Sequence, residues 1–103
     1  MIISEILGTV KSATHPVAKA LFKGNGYKTL AIAFKSGMVL KDHKTTHLAK
    51  LLVIDGKINF VIGTKEIELT KFEEFDIPTD IVHSVVAIDD SIILLMQNQN
   101  ADL

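Results

Sequence analysis

Residues 37–56, GMVLKDHKTTHLAKLLVIDG, decide how this chain is read. Residues 38–40 are apolar, 41–46 polar and 48–54 almost continuously apolar, the pattern of two short strands around a polar turn. Asp55-Gly56 closes the second run. An Asp-Gly pair between apolar runs predicts a hairpin, because a type I′ turn needs positive φ at both central residues. Counted at the two-residue period of a strand, His43, Thr45, His47, Ala49, Leu51 and Val53 fall on one face if the strand is unbroken. That face carries two imidazoles at its mouth and apolar side chains deeper in.

Residues 77–84, IPTDIVHS, answer the first stretch. Pro78 has no N–H to give a ladder, so a strand is expected to end at Ile77-Pro78. A strand over residues 82–88 then puts His83, Val85 and Ala87 on one side. Ser84 falls on the other, so it forms no relay with its neighbour His83.

Together the two stretches resemble the paired motifs of the cupin family. Gly37, His43 and Gly56 keep the spacing of the first motif, in which Thr45 stands for the second histidine and Ala49 for the glutamate. Pro78, Asp80 and His83 are similar to the second, with Phe72 and Asp80 at its glycines and Ala87 at its asparagine. The resemblance spans about residues 22–96. It implies an all-β fold: an antiparallel jelly-roll barrel, or double-stranded β-helix, of the RmlC-like kind, with nine or so short strands. It also implies a pocket lined by His43, Thr45, His47 and His83. Metal-binding cupins hold a divalent ion through the histidines and the glutamate of these motifs. Here only His43 and His83 occupy ligand positions, with His47 as a displaced third, so the implied cofactor is none or one weakly held Fe, Mn, Ni or Zn.

Composition bounds the rest. The chain has 103 residues, suited to one domain over 1–103, with residues 1–15 as an N-terminal arm and 98–103 as a frayed polar tail. Hydrophobic residues make up 48% of it, which predicts a homodimer that buries apolar sheet surface. Residues 1–10 are expected as a short strand pairing with the neighbouring subunit. A net charge of −1 argues against nucleic acid. All eleven cationic residues are lysine, so no planar arginine fork exists for phosphate or carboxylate. Without cysteine there is neither disulfide nor thiolate chemistry. No run approaches the roughly 20 apolar residues that cross a bilayer, and the start is not a convincing signal peptide, so no membrane partner is expected and the cytoplasm is the default compartment.

The remaining segments read as hairpins. Residues 17–22 and 27–34 are strands joined over Asn25-Gly26, with Leu30, Ile32 and Phe34 on one face. Residues 57–62 and 65–69 join over Gly63-Thr64, with Glu66 and Glu68 facing water. The acids of residues 70–76 read as a solvated edge, Asp89-Asp90 as a hairpin tip, and His15 as a solvated loop residue. Neither a nucleophile elbow nor a phosphate loop or dinucleotide fingerprint is present. Three functions compete for the pocket. It is a binding module for a small organic ligand, a metal-dependent enzyme of dioxygenase or isomerase type using His43, His83 and His47, or a vestigial site in a structural dimer.

Overall fold

Alternation of apolar and polar side chains produces short strands that bury one face each. The computed structural model describes residues 1–98, and only the backbone of Asp42 and His43. Within it α1 (Ile2–Val10) precedes nine strands: β1 (Val17–Gly24), β2 (Tyr27–Phe34), β3 (Val39–His43), β4 (Ala49–Asp55), β5 (Lys57–Ile62), β6 (Lys65–Thr70), β7 (Glu74–Ile77), β8 (His83–Ala87) and β9 (Ser91–Asn98). A five-stranded sheet ordered β1-β2-β9-β4-β7 packs on a four-stranded sheet ordered β3-β8-β5-β6. The core lies between them, as in a jelly roll, and Phe60 of one sheet meets Phe75 of the other at 4.8 Å between ring centroids.

Register layers the inner face of the larger sheet. Lys28, Gln97, Ala49 and Ile77 lie side by side across β2, β9, β4 and β7. Two residues further in come Leu30, Leu95 and Leu51, and then Ile32, Ile93 and Val53. Opposite them, Leu40, Val85 and Phe60 form one row of the smaller sheet. The deepest rows, with Phe34 and Ile58, are fully buried.

The chain crosses between the sheets at both ends of the barrel. At one end it does so four times, over residues 35–38, 56, 71–73 and 88–90, and these corners interlock. Gly37 N donates to Ala87 O at 2.8 Å, Ser36 N to Asp90 Oδ1 at 2.8 Å, and Ile88 N to Lys57 O at 2.9 Å. The buried Ser91 Oγ accepts from Lys57 N at 3.0 Å and lies 2.7 Å from Asp89 O and 3.1 Å from Lys57 O, one of which takes its single proton. At the other end stand the two hairpin turns, Asn25-Gly26 and Gly63-Thr64, and two longer crossings over residues 44–48 and 78–82.

Several expectations are corrected by this topology. Asp55-Gly56 is no hairpin, since β4 and β5 belong to different sheets and only Gly56 of the pair has positive φ, at 90°. A Cβ at Gly56 would run into Asp90 O and Ser91, so the corner needs a residue without one. Asp89-Asp90 is likewise an inter-sheet corner and no hairpin tip. Residues 2–10 form a helix instead of a strand. Ile3, Ile6 and Val10 recur at helical spacing, and the last two are buried in the core where α1 packs on β1 and β2. The face counted through residues 43–53 is interrupted, because residues 44–48 leave the ladder. Asn98 ends β9 and donates its N–H to Leu48 O at 2.9 Å, while the rest of the expected tail, 99–103, lies outside the described residues. No helix among the described residues is long and apolar enough to cross a membrane.

Candidate functional site

The open end of the barrel leads into a cavity of about 320 Å³. Its walls follow from the register. Leu30, Ile32, Leu51, Ile93 and Leu95 come from the larger sheet and Leu40, Phe60 and Val85 from the smaller one. Polar groups gather toward the mouth: Lys28, Lys44, Thr45, His83 and Gln97. An apolar body with a few converging polar groups is the usual construction of a small-molecule site, though at the small end of the roughly 300–1,000 Å³ such sites occupy.

His83 opens β8, whose inward side chains alternate as expected: His83, Val85 and Ala87 are buried. The ring stacks on Phe60 at 5.0 Å between centroids and 23° between planes. Its Nδ1 lies 3.2 Å from Ile81 O. A carbonyl only accepts, so Nδ1 carries the proton, and in the neutral ring the lone pair sits on Nε2. A bulge between Leu40 and His43 makes residue 43 the backbone partner of His83. The side chain of His43, a proposed ligand, lies outside the described residues.

Thr45 and His47 come from the loop that breaks the first motif's strand. Thr45 lines the cavity, but its Oγ1 is engaged with His47, 3.2 Å from both the N–H and the carbonyl of that residue. The loop is braced against the second motif, since Asp80 N donates to Thr45 O at 2.7 Å. His47 lines an adjoining hollow at the mouth with Lys28, Thr45 and Gln97, and is absent from the lining of the inner cavity. His15 is exposed on its loop, with Nδ1 3.3 Å from Pro16 O.

Lys28, Lys44 and Gln97 are the polar lining residues that the sequence reading missed. Two of them were within its reach: the inward series Phe34, Ile32, Leu30 continues back to Lys28, and Ile93, Leu95 runs on to Gln97.

Solved structures with this arrangement of strands are numerous. A cupin superfamily protein from Desulfitobacterium hafniense superposes with a TM-score of 0.78 at 13% identity, over 84% of this chain and 80% of that one. An RmlC-like cupin from Desulfovibrio desulfuricans gives 0.75 at 22% identity, over 82% and 83%. The chain has the RmlC-like cupin fold. KdgF from Halomonas sp. is similar again, with a TM-score of 0.77 at 18% identity, over 88% and 86%. No protein-family model matches the chain, and no curated protein does so by sequence.

At the positions of the cupin motifs the backbone is alike although the residues differ. Gly37 and Gly56 have φ of 88° and 90°, and the two motif glycines replaced here keep the same left-handed conformation, Phe72 at 70° and Asp80 at 61°. Thr45, Ala49 and His83 line one cavity. The donors a cupin metal would need are another matter. Ala49 offers a methyl group, the Thr45 hydroxyl is engaged by its own loop, and two lysines of the wrong sign stand beside them. No group of three or more His, Cys, Asp or Glu suited to a metal forms among the described residues, and the described side chains do not fit the ion.

Proposed function

We propose that this chain is a small-molecule-binding module of the cupin fold, taking an organic ligand into the barrel through its open end. The observation that carries this is the cavity of about 320 Å³, aliphatic in its depth and polar at its mouth. His83, with Nδ1 committed to Ile81 O and its ring stacked on Phe60, serves as a fixed polar contact rather than a mobile one. Thr45 and the neighbouring loop, held by Asp80, give the mouth a set shape. The apolar composition of the chain supports a homodimer as the assembled form.

Thermal denaturation against a panel of small organic molecules, each with an apolar body of up to about ten non-hydrogen atoms, tests the module. A ligand at a hundred times its Kd adds about 2.7 kcal/mol of stability, which raises the melting temperature by roughly 10 °C in a domain of this size. Ala49→Leu, which fills the cavity without adding charge, is expected to abolish that rise. No rise with any member of the panel, or a rise that survives Ala49→Leu, overturns the proposal. Elemental analysis of untagged protein purified without chelator separates it from a metal enzyme on His43, His83 and His47. Near one transition metal per chain, lost in His43→Ala/His83→Ala, decides for the enzyme.

A further inference from the structure

We infer that the ligand is a monoanion, a small carboxylate whose head meets Lys28 and Lys44 at the mouth while its hydrocarbon or aryl body lies among Leu30, Leu51 and Leu95. The inference rests on the binding module proposed above and names what that module selects.

Among the described residues, Lys28 and Lys44 are the cationic side chains that line the cavity, and no carboxylate lines it. Lys28 stands on the inner face of β2, half-buried, beside the neutral Gln97 of β9. Lys44 reaches the same cavity from the loop after β3. Neither lysine belongs to an ion pair among the described residues. Elsewhere Lys19 meets Glu5, Lys50 meets Glu74 and Asp76, and Lys57 meets Glu68, while the other six lysines outside the cavity form no ion pair either among the described residues, so it is their place on the cavity wall that sets Lys28 and Lys44 apart. A lysine at the end of an inward apolar row, with low-dielectric walls beneath it, concentrates positive potential where a ligand's head would rest.

The rows below decide the rest of the ligand. From Lys28 the inner face runs directly to Leu30 and Ile32, and from Gln97 to Leu95 and Ile93, with no further charge. A bound molecule therefore has its charge at one end only. Ammonium groups are point charges that take either anion, but the aliphatic rows directly below Lys28 and Gln97 offer no donor for the further oxygens of a phosphate. A cationic head would be repelled. A neutral one would leave the lysines with nothing to pair.

Isothermal titration calorimetry on the full chain with sodium octanoate, 1-octanol and octylammonium chloride tests this, since the three share a body and differ in head charge. Octanoate is expected to bind about tenfold more tightly than octanol, and octylammonium not at all. Lys28→Met is expected to weaken octanoate about tenfold and leave octanol unchanged, with an unaltered melting temperature as the check on folding. Lys44→Met, at an exposed position, is expected to weaken octanoate about two- to threefold. Octanol binding as well as octanoate, or octanoate indifferent to both substitutions, overturns the anion and leaves the binding module standing. Failure of all three probes at millimolar concentration overturns both.

Discussion

The two ends of the barrel solve opposite problems. At the closed end four crossings between the sheets are stacked on one another by backbone hydrogen bonds and a single buried hydroxyl, with no room for a further atom at Gly56. At the mouth stand two hairpins and two longer loops, the loops joined by Asp80 N to Thr45 O, and side chains surround space instead of filling it. Substitutions at the closed end are therefore expected to act on stability, and substitutions at the mouth on binding.

The largest expected effect sharpens that contrast with a pair of glycines. Gly56 at the corner and Gly63 in the β5–β6 hairpin both have positive φ, at 90° and 59°. A methyl group on Gly63 meets nothing within 4 Å, whereas on Gly56 it meets backbone. Gly63→Ala is expected to cost about 1 kcal/mol, the conformational penalty alone. Gly56→Ala adds a collision that only backbone movement relieves and is expected to cost about 3 kcal/mol or more. Urea denaturation of both variants checks this, and equal costs would break the distinction between the ends.

The corner at Gly56 also shows what the sequence conveyed and where it misled. Asp55-Gly56 and Asn25-Gly26 carry one local signal, a residue suited to positive φ between apolar runs. Both are sharp reversals, but only Asn25-Gly26 joins strands that pair. The dipeptide reports a reversal with its glycine at positive φ, 88° at Gly26 and 90° at Gly56, although neither Asn25 nor Asp55 shares that sign; which strand receives the next one depends on contacts far away in the chain. The jelly roll was legible through the resemblance of the spacing of Gly37, His43, Gly56, Pro78 and His83 to the cupin motifs; Gly37 and Gly56 sit at closed-end corners and His83 lines the cavity. The helix at residues 2–10 was legible too, in Ile3, Ile6 and Val10, but lost to an expectation about N-terminal arms. At the site His83 was placed by strand period. Lys28 and Gln97 are not metal-ligand residue types, although the two-residue period that places Leu30 and Leu95 inward also places them.

A smaller effect concerns the changed motif glycines. Phe72 keeps φ at 70° at a closed-end corner, where the residue is 72% exposed and the Lys71 ammonium lies 5.1 Å from the ring centroid. Left-handed backbone costs a residue with a side chain about 1–2 kcal/mol that glycine is spared, against about 0.5–1 kcal/mol for an exposed cation–π contact. Phe72→Gly is expected to be at least as stable as the parent and about 1 kcal/mol more stable than Phe72→Ala by urea titration. Asp80, at the mouth, tolerates its φ of 61° better than phenylalanine does. Asp80→Gly is therefore expected to gain less than Phe72→Gly, and a larger gain would show that strain is concentrated at the mouth.

The smallest expected effect is one of pH at the closed end. Glu73 follows Phe72, and its Oε1 accepts from Thr70 N at 2.8 Å and Thr70 Oγ1 at 2.9 Å. The backbone hydrogen bond from Thr70, and then the one from its hydroxyl, hold the carboxyl below its ordinary range. A carboxyl whose folded pKa is depressed favours the native state above its unfolded pKa, and that contribution disappears as pH falls through the folded pKa. Glu73→Gln keeps an acceptor at this position but removes the titration. The variant is expected to melt slightly below the parent at neutral pH and to converge with it on acidification below about pH 4, the ordinary glutamate range. Because the side chain is solvent-exposed, the difference is small and serves as a lower bound on what side-chain hydrogen bonds add to this corner. A melting difference that stays constant from neutral to acid pH would mean that the backbone crossings hold the closed end without help from the Glu73 carboxylate.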